Sequence, residues 1–134
     1  MYNSEKIGNE FYQSLGKLFY FVAMADHTVK PVEIKRLRKY VRQYWLDVDE
    51  IEDEFHTDAA YQIEIVFDWL DGEEKEGETY FDEFKEFYKE HPDKFSEPIK
   101  KLIVETAEAI AQSFAGKNRS EMLAIFKLKQ LFNH

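Results

Sequence analysis

Apolar residues recur at helical spacing along almost the whole chain. Ile7, Phe11, Leu15, Leu18, Phe19, Val22 and Ala25 step by three and four, which marks one face of a helix from about Ser4 to Ala25. Asp26-His27-Thr28 breaks the pattern with residue types that favour turns and caps over helix interiors. Pro31 stands where a first helical residue belongs, since its missing N–H has no partner there in any case. Glu33 then falls at the third helical position, from which a carboxylate reaches back to the unpaired N–H groups of the helix start. Ile34, Leu37, Val41 and Tyr44 carry the period on to about Trp45. Ala23 to Glu33 is therefore the bend of an αα-hairpin with both apolar faces turned inward.

The rest of the chain repeats this grammar. Leu46 to His56 reads as a loop with one short helix, Asp49 its cap and Ile51 and Phe55 facing in. Thr57 or Asp58 caps a helix through Leu70 whose apolar members Tyr61, Ile63, Ile65, Val66, Phe67, Trp69 and Leu70 cover nearly every side. That pattern predicts the buried central element, with Gly72 as its stop. Thr79 with Asp82 forms a capping-box pattern and opens a helix to about Glu90, lined by Tyr80, Phe81, Phe84, Phe87 and Tyr88. Ser96 or Glu97 ahead of Pro98 starts the next, with Ile99, Leu102, Ile103, Ala107, Ile110 and Phe114 inside and Gly116 beyond its end. Asn118 with Glu121 opens the last, which carries Met122, Ile125, Phe126, Leu128, Leu131 and Phe132.

One internal repeat is visible. A shift of 88 residues lays Val22 on Ile110, Lys30 on Asn118, Glu33 on Glu121, Leu37 on Ile125 and Tyr44 on Phe132. Both ends of the chain are then an apolar helix, a short turn and a capped apolar helix. The expected fold is all-α: a compact bundle of about six to seven helices, with two pseudo-repeated αα-hairpins around a central helix.

Ala25-Asp26-His27-Thr28-Val29-Lys30-Pro31-Val32-Glu33 resembles the signature of the tellurite-resistance TerB-like family. In that signature a helix ends in Ala-Asp, a Gly or similar residue and one more residue follow, and Val-Ser-Pro-x-Glu opens the next helix. Two positions depart: His27 stands where Gly is usual, and Lys30 where a capping Ser is usual. Loss of that Ser removes half of a capping box, a change of about 1 kcal/mol. The family's related second hairpin is matched in outline by Ala109 to Phe126, with Phe114-Ala115-Gly116-Lys117 in place of the acidic turn. The resemblance implies an all-α, non-enzymatic interaction or sensing module of bacterial stress-response systems. Such a module works through protein partners, often at or near a membrane. The resemblance also implies that Asp26 and Glu33 are the positions where a divalent cation of the calcium type would be held.

Composition narrows this further. With 134 residues, 44% hydrophobic and 16% aromatic, the chain is long and apolar enough for one real core. There is no cysteine, which excludes disulfides, thiolate metal sites and a cysteine nucleophile. The first residues lack a basic and apolar leader pattern, and no run approaches a membrane span, so a cytoplasmic protein is expected. The net charge of −9 is unevenly spread. Residues 1–45 hold 8 basic and 4 acidic groups, residues 46–97 hold 4 and 20, and residues 98–134 hold 6 and 3. Two electrostatic faces follow. The acidic middle argues against nucleic acid, and complementary faces favour a protein partner or a homodimer.

The candidate chemistry is sparse. Asp26 and Glu33 have a hard-cation reading, set against the commoner one in which Asp26 satisfies the turn and Glu33 caps the helix. Asp53 and Glu52 lie three and four residues before His56, and the first spacing is that of half a di-metal motif without its second half. His27 is a turn residue, and His91 stands at a helix end. Lys35, Arg38, Lys39 and Arg42 form a basic stripe, the candidate interaction surface, which otherwise is a solvated face or pairs with acids. Neither a Gly-x-Ser-x-Gly elbow nor a Gly-rich phosphate loop occurs, and no resident cofactor is expected.

Overall fold

The structure is a computed structural model, and it describes residues 4–47, 59–111 and 119–133. Six α-helices make the fold: α1 (Ser4–Ala23), α2 (Pro31–Gln43), α3 (Gln62–Gly72), α4 (Glu78–Glu90), α5 (Glu97–Ala111) and α6 (Arg119–Phe132). Short 3-10 turns occur at Trp45–Asp47, Ala59–Tyr61 and Pro92–Lys94, and the described residues contain no strand. The all-α bundle is as the periodicity predicts.

The central helix is α1, not α3. From Leu18 to Ala23 six consecutive side chains are buried, so α1 has no solvent face over its last turns. It packs against α3, α4, α5 and α6. By contrast α3 buries Ile63, Phe67 and Leu70 and packs Val66 against the core, while Ile65 (54% exposed) and Trp69 (57%) project outward. These two lie four residues apart and share a row, so an all-round apolar sequence produced two faces with different fates. On α6 likewise, the apolar Met122 and Phe126 face out, and Glu121 is inside.

Gly16 lets α1 approach α3. A Cβ there would lie 2.8 Å from the Ile63 carbonyl oxygen and 3.0 Å from the Val66 Cβ. Trp45, fully buried just past α2, ties that end of the hairpin to α5. Its Nε1–H donates to Thr106 Oγ1 at 3.0 Å, and the Thr106 hydroxyl donates to the Leu102 carbonyl at 2.8 Å. Phe95 anchors the far end, where the rings of Phe11, Phe84, Phe87, Tyr88 and Phe132 surround it. The aromatic row of α4 is therefore core or half-buried packing.

Several helix ends differ from the sequence expectation. Helix α1 stops at Ala23, because the turn begins at Met24, and α2 stops at Gln43, with Trp45 in a 3-10 turn. At the end of α3 the left-handed residue is Glu74 (φ 53°), not Gly72. Lys75 N–H bonds the Leu70 carbonyl and Glu74 N–H the Asp71 carbonyl, the two bonds of a Schellman cap. Helix α4 begins one residue before Thr79, after Gly77. Gly77 is fixed there because a Cβ would come within 3.1 Å of the Met24 Cβ. The expected caps Asp49, Thr57, Asp58 and Asn118, and the Asp53, Glu52 and His56 group, lie outside the described residues.

Gly16→Ala should destabilise the fold by about 1–3 kcal/mol, since the added methyl meets the Ile63 backbone carbonyl and the stiff, β-branched Val66. Urea unfolding of the purified variant beside the wild type reads this directly.

Candidate functional site

The turn between α1 and α2 is organised by Lys30. Asp26 accepts the Thr28 N–H at 3.2 Å through one carboxylate oxygen and the Lys30 ammonium at 2.7 Å through the other. The Lys30 N–H donates to Glu33 Oε1 at 2.8 Å, and the Lys30 carbonyl accepts the Glu33 N–H at 2.9 Å. Half of a capping box is thus present. A lysine side chain has no acceptor, so the half that a Ser would supply is replaced by the salt bridge to Asp26. That bond to Asp26 raises the Lys30 pKa above its ordinary value and keeps the ammonium charged.

His27 completes the turn with φ 69°, and its N–H bonds the Met24 carbonyl at 2.8 Å. This is the left-handed conformation that glycine adopts without strain and a side chain adopts at a cost. The imidazole itself is exposed.

Glu33 is 1% exposed and Glu121 is 2% exposed, and their side chains are hydrogen-bonded to each other. Two carboxyl groups form such a bond only when one of them carries a proton. Burial first, then the bond to Glu121, pushes the Glu33 pKa up to about 8, against the opposing pull of the Lys30 N–H. Each glutamate is the third residue of its helix, so the starts of α2 and α6 converge on one buried point. The positive ends of both helix dipoles favour the one negative charge that remains.

The sequence placed Asp26 and Glu33 together, and the structure joins them through Lys30. It adds Glu121, which sequence reasoning had assigned only as a capping residue. The signal for it was present in the 88-residue overlay of Glu33 on Glu121. Among the described residues, no group of three or more histidine and carboxylate side chains is arranged to hold a metal ion.

The basic stripe divides in two. Arg42 grips Glu64 through Nε at 3.3 Å and a terminal nitrogen at 3.2 Å, and Arg38 bonds Asp68 at 2.7 Å and lies 3.5 Å from Glu64. These two arginines fasten α2 to α3, while Lys35 and Lys39 stay exposed. His91 caps α4 through its backbone N–H to the Phe87 carbonyl and stacks on the Phe87 ring at 4.6 Å. A cleft of about 530 Å³ opens beside the turn, with Phe21, Met24 and Ala124 on its walls and His27, Thr79, Ser120 and Lys127 at its mouth.

No helix of the described residues is long and apolar enough to cross a membrane. Comparison of the chain with models of known families, with curated proteins and with solved structures finds no match.

Two outcomes follow from the geometry. The folded state holds a proton on Glu33 that the unfolded chain releases near 4.5. The unfolded state therefore binds fewer protons between 4.5 and about 8, and stability falls as pH rises through that window. In Glu33→Gln the amide oxygen keeps the Lys30 bond and the amide nitrogen donates to Glu121, so no shared proton is needed. Denaturant titrations across the window should show the wild type losing at least about 1.4 kcal/mol more than this variant, one pKa unit's worth. Separately, His27→Gly should raise stability by about 0.5–1 kcal/mol, the relief of left-handed strain less the entropy of the glycine chain. A thermal melt reads it, and a lower melting temperature would contradict the strain.

Proposed function

We propose that the chain is a non-enzymatic, TerB-like interaction module of a bacterial stress-response system, acting through protein contacts. The observation that carries this reading is the outer face of α6. Met122 (56%), Leu123 (59%) and Phe126 (56%) stand out of it together, and clustered apolar surface of this kind marks contact sites. The kinship part of the reading is supported by the turn. The family's usual Gly position coincides with a left-handed residue, Pro31 opens α2, and Glu33 reaches the Lys30 N–H.

The test is site-specific photocrosslinking in host cells, with the reactive residue at Leu123 or, for comparison, at Lys101. A discrete adduct from position 123, lost when Phe126→Asp is added, is the expected result. Equal adducts from both positions, or none from 123, would remove the reading.

A second reading is a divalent-cation sensor of the calcium type at Asp26 and Glu33; the buried Glu33–Glu121 pair supports its Glu33 half, and Asp26 would have to give up its bond to Lys30. A site that must bind a proton to neutralise its charge can exchange that proton for a cation. Calorimetric titration with calcium in two buffers of different ionisation heat would show proton release, abolished in Asp26→Asn and Glu33→Gln. No heat at millimolar calcium would eliminate it.

A further inference from the structure

We propose that the partner of the α6 face is the α3 face of a second copy of this chain. This rests on the interaction-module reading above and names its partner. The first observation is that the chain exposes two apolar rows, on different helices and in opposite electrostatic surroundings. Along α6, Met122 and Phe126 are one turn apart, and Leu123 lies on the other side of Phe126. Arg119 falls on the same outward arc; Lys127, whose ammonium lies 5.8 Å from the Phe21 and Phe81 ring centres, and Lys129, paired with Glu108 at 3.0 Å, border it. The helix's one acidic residue, Glu121, is buried and adds nothing to that face.

Along α3, Ile65 and Trp69 are one turn apart and point out, and Glu73 continues their row. Asp68 borders it. From Gln62 to Glu78 there are seven acidic residues and one lysine. That lysine, Lys75, sits over the Trp69 ring at 5.7 Å.

The second observation is charge complementarity within a single sequence. Arg119 and Lys127 leave the α6 row net basic, and Glu73, Glu74 and Glu76 leave the end of the α3 row net acidic, so a copy of the chain presents the surface that its own other face fits. An amphipathic helix laid against another uses i and i+4 anchors, which both rows provide. Trp69 is the kind of large, amphipathic anchor on which interface energy concentrates. Gly72 lies on the outward side of α3, and a Cβ there would meet nothing within 4 Å, which leaves room for a helix to come close.

The contact uses unlike faces, so each copy has one donor face and one acceptor face. Two copies close on each other if the contact forms twice, and the assembly lengthens if it forms once.

The experiment is sedimentation of the purified full chain over a range of concentrations, at low salt and at about 1 M salt, where the screening length is ~3 Å. The expected result is concentration-dependent association that weakens in high salt. Trp69→Asp and Phe126→Asp each alter an exposed side chain, and circular dichroism checks that both fold. Each variant alone should be monomeric, because each lacks one of the two faces. An equimolar mixture should recover a one-to-one dimer, since one variant keeps an intact α6 and the other an intact α3. That rescue also shows that neither variant failed by misfolding.

A wild type that stays monomeric at every concentration in low salt would overturn the proposal, as would a Trp69→Asp variant that still self-associates. Failure of the two variants to pair would do the same. In each of those cases a Leu123 crosslink to a different protein would leave the interaction-module reading standing, so the two can fail separately.

Discussion

A helix with no solvent face must be enclosed by its neighbours, and α1 imposes that condition on the whole bundle. From Leu18 to Ala23 every side chain is buried, so α3, α4, α5 and α6 each turn an apolar row toward it. Gly16 sets how closely α3 crosses, and Gly77 how closely α4 begins. The tyrosines of this helix keep their hydroxyls in play. Tyr20 donates to the Lys75 carbonyl, which pins the acidic loop after α3 to the core, and burial pushes its pKa up to about 12.

The glutamate pair is the polar counterpart of that enclosure. Glu33 and Glu121 occupy equivalent places in the two halves of the chain and meet where those halves touch. A like-charged pair thus sits in a place where charge is expensive. One retained proton turns repulsion into a hydrogen bond, and the two helix starts supply the positive field for the remaining charge.

The fold was legible in the sequence because helical period is a local property. Ile7 to Ala25, the Pro31 start and the Ser96–Pro98 start need nothing beyond their own neighbours. The side chain of Ser96 accepts the Ile99 N–H at 3.4 Å, as a cap should. What was not legible is which side of a helix meets another helix when apolar residues occur on all sides. Ile65 and Trp69 look like core residues by type, and only the position of α1 turns them outward. Arg38 and Arg42 look like a docking stripe by type, and only the approach of Glu64 and Asp68 makes them a clasp. Glu74 adopts the left-handed cap two residues after Gly72, because the tertiary path of the loop, and not residue preference, fixed where the helix had to end.

The two tryptophans of the chain lie in opposite settings. The indole of Trp45 is sealed among Tyr12, Phe19 and the Thr106 hydroxyl, whereas that of Trp69 faces solvent under Lys75. Their emission is therefore separable. A water-soluble quencher reaches Trp69 in the folded single chain and reaches Trp45 only once the core opens, so the molecule carries independent optical reporters of its surface and of its interior.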